Sequence, residues 1–470
     1  MLARRTVKVF TFGCQMNVYD SQRLVENLAS IGFAETHDEE EADLVVLNTC
    51  SVREKPAQKV YSMLGRLRRL KQSRPSVLLA VAGCVAQQEQ ERLASRIPYV
   101  DIVLGPDHVS DVADLVEQAD RTGKQVIAAS FRESRDGMFP AAVRPLRRTA
   151  SAYVTVMKGC DQFCSYCIVP HVRGREFSKP PGAVLDEVRL LVDSGVREVT
   201  LLGQNVNRYG MDDPSSPRFP ELLERVHEVP GLERLRFTTS HPADCTQELI
   251  AAFARLEKLC PYMHLPLQSG SDRILAAMNR RYTLAEYRDR VAGLRRARPG
   301  IHLSTDLIVG FPGETQEDFE GTLEAARQVR WGSAFSFKYS PRPGTRAAET
   351  PDDVPAREKQ ERLARLQELL YATAFEAMRS HVGQQHPVLV EGASRKGANC
   401  GSAPQISGRT PTNYVVNIPL GEPAAGLPLP EDMVGRTVTV TVVEALPHSL
   451  LGRIEENAAE AAGGQAWLSK

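Results

Sequence analysis

A chain of 470 residues with 42% apolar and 25% charged residues has the make-up of a globular protein of about three domains, long enough to bury its core without disulfides. Lys and Arg balance Asp and Glu at 58 each, and the pI is about 7.1, which excludes a uniformly basic coat but leaves room for a local basic patch. The amino terminus, MLARRTVKVF, has no secretory apolar region, and no apolar run approaches the ~18 residues that span a bilayer; a cytoplasmic protein without a membrane partner is expected, and its nine cysteines read as thiols or ligands rather than a disulfide framework.

Residues 5–121 repeat one theme three times. RTVKVFTFGC is a β-rich run ending at Cys14, EADLVVLNTC ends at Cys50, and PSVLLAVAGC ends at Cys84. Each is followed by a helix-like segment, such as SQRLVENLASIGF. Strands alternating with helices predict a parallel α/β sheet, in which all strands present their carboxyl ends along one ligand-binding edge. Cysteines at three such ends can meet at one point. Residues 122–145 lose the rhythm, and FRESRDGMFPAAVRP reads as a linker.

Alternation returns over residues 146–376. Strand candidates are AYVTVMKG, EVTLLGQNV, RLRFTTS, YMHLPLQS, HLSTDLIVGF and AFSFKYS, separated by helical stretches. Six βα units predict an open, partial barrel with polar strand ends at one mouth. Residues 356–380 predict one long amphipathic helix. Residues 379–455 turn all-β and predict a small barrel, and the Ala-, Glu- and Gly-rich residues 456–470 read as a disordered tail.

A lone cysteine is commonly a small buried hydrophobe, the reading given to Cys245, Cys260 and Cys400. Cys160, Cys164 and Cys167 are different. They fall within GCDQFCSYC, spaced C-x3-C-x2-C. A structural zinc site would need a fourth ligand, for which His171 is near in sequence. A [4Fe–4S] cluster held by three thiolates would leave one iron open for a small molecule.

This spacing at the end of the first strand of a partial barrel, with Tyr166 directly before Cys167, resembles the radical S-adenosylmethionine (SAM) enzymes. The resemblance implies that the open iron chelates SAM and that the reduced cluster cleaves it to a 5′-deoxyadenosyl radical. Cys160, Cys164 and Cys167 would then be catalytic ligands. A second triad, Cys14, Cys50 and Cys84, would hold another [4Fe–4S] cluster. Two such triads in one chain resemble the methylthiotransferase family, over residues 5 to about 455. The implied architecture is an N-terminal three-layer α/β methylthiotransferase domain, a partial (βα)6 TIM-like radical SAM barrel and a C-terminal β-barrel TRAM domain that binds RNA.

The words TFGCQMNVYDS, LNTCSVREKPAQKVYSMLGR, LLGQNVNRYG, RFTTSHP and GFPGETQEDF are similar to the family branch acting on tRNA, with the small departure that Pro56 precedes Ala57. The implied reaction methylthiolates carbon 2 of N6-dimethylallyladenosine at position 37, beside the anticodon. Other branches act on threonylcarbamoyladenosine in tRNA or on a ribosomal-protein aspartate. Implied partners are the tRNA, a sulfur source and an external electron donor, with the enzyme a monomer. Strand ends carrying Gly203, Gln204, Asn205, Gln268 and Ser269, and the turn Gly310 to Glu314, are expected to contact SAM, with Tyr166 beside the cluster. Ser394, Arg395, Lys396 and Arg409 match the TRAM motif and are expected at phosphates. Residues 397–404 are extra to that motif. Tyr414 and Ile418 replace its usual Arg and Phe, and Tyr414 is a candidate base-stacking ring. A basic run, Arg66, Arg68, Arg69, Lys71 and Arg74, is either a solvated helix face or a tRNA-facing patch. Two rival classes remain: an RNA-binding protein with structural metal, and a two-cluster electron carrier.

Overall fold

The structure, a computed structural model, describes residues 5–51, 54–135, 137–394, 405–420 and 432–455, without the side chains of 54–58. The first domain is a six-stranded parallel sheet. Its strands are β1 (Thr6–Thr11), β2 (Ala34–Glu35), β3 (Leu44–Thr49), β4 (Leu78–Gly83), β5 (Ile102–Leu104) and β6 (Val126–Ala128), in the order β2-β1-β3-β4-β5-β6. Helices α1 (Gln15–Ser30), α2 (Glu54–Ser73), α3 (Cys84–Arg96) and α4 (Val112–Thr122) connect them. The central strands LVVLNT and LLAVAG are buried along their whole length, as strands covered on both faces must be. Leu44 and Val46 pack into one apolar layer, Val45 and Leu47 into the other.

The linker reading needs a correction. β6 lies inside residues 122–145 and pairs in parallel with β5. Three residues, with Val126 buried and Ile127 exposed, are too short a run for alternation to stand out from the polar text around it.

The second domain holds β7 (Ser151–Thr155), the hairpin β8 (Met157–Lys158) and β9 (Phe177–Ser178), β10 (Glu198–Leu202), β11 (Arg234–Phe237), β12 (Tyr262–His264), β13 (His302–Val309) and β14 (Ser333–Lys338). Its helices are α5 (Val169–Arg173), α6 (Pro181–Asp193), α7 (Phe219–His227), α8 (Gln247–Arg255), α9 (Asp272–Ala277), α10 (Leu284–Ala297) and α11 (Gln316–Val329). Two parallel sheets, β11-β10-β7 and β12-β13-β14, meet where Leu235 N donates to Lys258 O at 2.7 Å and Leu235 O accepts from Cys260 N at 2.9 Å. Six parallel strands therefore make one curved, open wall, matching the expected partial barrel.

α12 (Ala356–Arg379) leads to a closed barrel of β15 (Gln385–Ala393), β16 (Gln405–Arg409), β17 (Val415–Pro419), β18 (Thr437–Leu446) and β19 (Ser449–Ile454). It is fastened to the amino ends of the larger barrel's strands. Arg234 donates to Arg409 O and Pro387 O, Arg236 to Pro411 O and Thr410 O, and Glu198 pairs with Arg236 at 2.9 Å. No helix among the described residues is long and apolar enough to cross a membrane.

Candidate functional site

Because β1, β3 and β4 are neighbours, the loops that follow them lie side by side. Cys14 caps α1, Cys50 follows β3, and Cys84 opens α3. Two glycines let them approach. A Cβ on Gly13 (φ +146°) would sit 2.6 Å from the Cys50 Cβ, and one on Gly83 (φ +88°) would strike the Thr49 carbonyl oxygen. The asparagines of CQMN and LNTC form the support: Asn17 Nδ2 donates to Asn48 Oδ1 (3.1 Å) and Thr49 O (3.0 Å), and Asn48 Nδ2 donates to Asn17 O and Ser21 Oγ, both at 2.9 Å. Both are fully buried. The proximity of Cys50 lowers Cys14 to about 6 and Cys84 to about 7, helped by the Arg173 charge, and Cys50 itself is pushed up. Thiolate is the ligand form of cysteine, and the lowering of Cys14 and Cys84 favours it at this site.

The second triad follows β8. A Cβ on Gly159 (φ +80°) would collide with the Arg175 carbonyl oxygen, so the backbone here can pass only as glycine. Gln204 Oε1 accepts from Gly159 N, Cys160 N donates to Gly174 O at 3.2 Å, and Cys167 N to Cys164 O at 3.0 Å. The loop is pinned from the barrel side: Ser165 donates to Ala277 O and Met278 O, and Asn279 Nδ2 to the carbonyls of Gln162 and Phe163. Tyr166 packs beside Met278, Phe311 and Tyr339. Burial pushes Cys160 up and Cys167 up to about 12, so these thiols need a cation to deprotonate. His171, the alternative fourth ligand, is exposed on α5. Among the described residues no three His, Cys, Asp or Glu side chains gather as a single metal ion requires; a four-iron cube holds its ligands farther apart.

Polar atoms without partners collect near this loop. Gln162 and Asn205 both donate to Asp244 at 2.7 Å, leaving Gln162 Oε1 and Asn205 Oδ1 buried and free. His241 is lowered to about 2 by burial and the nearby arginines, and so is neutral. Its Nδ1 accepts from Ala243 N at 3.2 Å, which puts the proton on Nε2, also buried without a partner. Two acceptors and a donor with nothing to bind fit a polar cofactor such as SAM.

The sequence-derived contacts are only partly gathered here. Gln204 and Asn205 are, and Gly203 is a close approach, its absent Cβ 2.5 Å from the Met157 side chain. Gln268 adopts φ +74° and bridges to β13. Ser269 is turned away: its hydroxyl accepts from Ser271 N, and the next residue, Gly270, abuts α11. Gly310 to Glu314 is a structural clamp, with Gly310 N and buried Arg362 both donating to Glu314 at 2.6 Å. Sequence reasoning missed Arg280, which donates to Cys164 Sγ at 3.3 Å, and Arg173, which donates to Cys84 Sγ at 3.3 Å. Both arginines are buried, and no local spacing marks them.

On the expected RNA side, Arg409 pairs with Glu391 at 3.1 Å and stays partly exposed. Ser394 is buried and bonds Asn417 at 3.0 Å, so its hydroxyl is a strand-end tie rather than a phosphate contact. Arg395, Lys396, residues 397–404 and the tail 456–470 lie outside the described residues. The Tyr414 stacking expectation fails as well: the ring is buried edge-on against His302 (4.7 Å) and His381 (4.9 Å), where the two barrels meet. In the basic run, Arg66 pairs with Glu39, Lys71 with Asp101 and Arg74 with Asp43. Arg68 and Arg69 are exposed and carry no ion pair among the described residues.

Comparison with known proteins finds the same three domains in the same order. Residues 6–105 match the model of "Uncharacterized protein family UPF0004", 154–326 the radical SAM superfamily, and 379–454 the TRAM domain. The tRNA-2-methylthio-N(6)-dimethylallyladenosine synthase of Syntrophotalea carbinolica is 47% identical over 94% of this chain and 98% of its own. The protein of that name from Geobacter metallireducens is 48% identical over 97% of this chain and 99% of its own. Among solved structures, the radical SAM methyltransferase TsrM from Kitasatospora setae, with cobalamin and a [4Fe–4S] cluster bound, shares the fold at a TM-score of 0.55 and 16% identity, over 74% of this chain and 77% of that one. The chain belongs to the tRNA-2-methylthio-N(6)-dimethylallyladenosine synthase family, radical SAM methylthiotransferases built of these three domains.

Proposed function

We propose that this protein methylthiolates carbon 2 of N6-dimethylallyladenosine in tRNA, at the position that follows the anticodon. The observation that carries the reading is the pair of thiol triads, each at strand ends of its own domain and each touched by one buried arginine, in a chain of this family. Cys160, Cys164 and Cys167 would hold one [4Fe–4S] cluster with SAM, and Cys14, Cys50 and Cys84 a second. When bound, the first supplies the radical that activates carbon, and the second presents sulfur.

The chain's own residues set the stage. Gly159 and Gln204 fix the turn that aims the motif, and Asn279 and Ser165 stop it drifting from the barrel. Asn205, Gln162 and neutral His241 offer two acceptors and a donor to SAM. Two buried contacts to Glu187 join the domains, Tyr19 OH donating at 3.2 Å and Arg23 pairing at 3.8 Å, while Lys179 and Glu26 hold Glu187 and Arg23 from within their own domains. Such pairs lock orientation more than they add stability, and here they fix one triad relative to the other. A sulfur source, an external reductant, a monomeric state and a cytoplasmic location complete the reading.

The test is anaerobic incubation of reconstituted protein with SAM, reductant, sulfide and tRNA bearing dimethylallyladenosine, followed by mass analysis of the nucleosides. A mass gain of one methylthio group on that nucleoside is expected. Release of 5′-deoxyadenosine without that gain overturns the substrate and points to threonylcarbamoyladenosine or a ribosomal-protein aspartate.

Grip on the polyanion is assigned in part to the exposed pair Arg68 and Arg69. The double reversal R68E/R69E is expected to weaken tRNA binding and flatten the plot of log affinity against log salt by roughly one unit per lost phosphate contact. Binding unchanged across salt returns the pair to the solvated face.

A further inference from the structure

Arg173 stands between the two triads, and no part of the reaction described above uses it. It ends α5, six residues after Cys167, yet its guanidinium lies in the first domain's thiol site. Nε donates to Cys84 Sγ at 3.3 Å and Nη1 to Asp20 Oδ2 at 2.9 Å. Asp20 belongs to α1, the helix that Cys14 caps. Arg173 is 4% exposed, and its Nη2 is buried with no hydrogen-bond partner. A buried guanidinium donor without an acceptor is costly. One carboxylate answers one charge, but the third donor points to a further acceptor that protein atoms do not provide.

We propose that Arg173 is a positioning and tuning residue for the sulfur-presenting cluster: its charge and its Nη2 act on the cluster's sulfur and raise its reduction potential. The proposal rests on the reading that Cys14, Cys50 and Cys84 hold a cluster. A cluster bound by three thiolates is anionic, and a cation fixed against one ligand sulfur in a low-dielectric site stabilises the reduced, more negative form. Because Arg173 is supplied by the barrel's cysteine loop, the cluster's electronic state depends on docking of the two domains. Arg280 repeats the arrangement at Cys164, but there Nε and Nη2 are used by Tyr282 OH and Pro266 O, so every guanidinium nitrogen has a partner.

The test uses full-length protein in which Cys160, Cys164 and Cys167 are all Ala, so that any remaining cluster belongs to the other triad. Iron and sulfide are counted after anaerobic reconstitution, and the cluster is titrated potentiometrically with electron paramagnetic resonance. Adding R173Q is expected to lower the midpoint potential by at least a tenfold change in the one-electron reduction equilibrium, about 59 mV. R173K, which keeps the charge, is expected to recover most of that shift. Equal potentials in the Arg, Gln and Lys forms overturn the proposal. Loss of the cluster in R173Q with retention in R173K supports it, whereas loss in both, in folded protein, reduces Arg173 to a structural tie. Absence of a cluster in the parent triple variant overturns instead the second-cluster reading beneath it.

Discussion

Cys164→Ala abolishes SAM cleavage: anaerobic, reconstituted variant is expected to release 5′-deoxyadenosine at least ~100-fold more slowly than the parent, a larger loss than the 10–100-fold typical of an outer-sphere change at a metal site. The physical reason is the count of ligands. Three thiols are all this loop offers, so removing one would leave the cluster only two protein ligands. Cys164 also takes the Arg280 hydrogen bond, so its loss strands a buried guanidinium donor. The fold should survive, because the loop hangs from backbone and side-chain bonds made by Cys160 N, Ser165 and Asn279 rather than by the sulfur. Circular dichroism and tRNA binding that match the parent would confirm that chemistry alone is lost. Undiminished 5′-deoxyadenosine release would falsify the ligand assignment.

Cys50→Ala has the complementary effect. SAM cleavage is expected to continue within about threefold of the parent, while methylthio product falls below detection. Cys50 lies between Cys14 and Cys84 and is the thiol whose neighbourhood most lowers both of them. Without it the cluster would lose one of three protein ligands, and Cys14 and Cys84 would lose the neighbour that most lowers them. The sheet beneath does not need the sulfur: β3 is buried on both faces by aliphatic residues, and the asparagine support around Asn17 and Asn48 is independent of it. Nucleoside mass analysis and 5′-deoxyadenosine quantification from the same reaction separate the two outcomes. Methylthio product at the parental level would remove the second triad from the reaction.

Together these variants divide the labour between the domains. In the proposed reaction the barrel triad would serve carbon and the first-domain triad sulfur, and buried contacts across the two domains tie the sites together.

What was legible in the chain follows from local pattern. The βα rhythm, the six strands of the open barrel and the closing β module are periodic over windows of a few residues, and the structure returns them. Cysteines placed at strand ends converge because parallel strands finish on one edge, so the Cys14, Cys50 and Cys84 site could be assembled before any coordinates. A motif names a side chain but carries nothing about the surroundings that turn it. Ser269 and Ser394 sit in recognisable words yet turn inward to neighbouring backbone and side chains. Tyr414 looked free to stack but fills the seam between two barrels. The three-residue β6 was too short to register.

The sequence by itself determined which residues are thiols, how they are spaced, and that Cys14, Cys50 and Cys84 each follow a strand of one parallel sheet. Only the tertiary structure decided what governs those thiols. Arg173 meets Cys84 across 89 positions, and Arg280 meets Cys164 across 116. Spacing and periodicity act within one element, but a charge buried against a sulfur is set by how two distant elements pack, and that packing is a property of the whole fold.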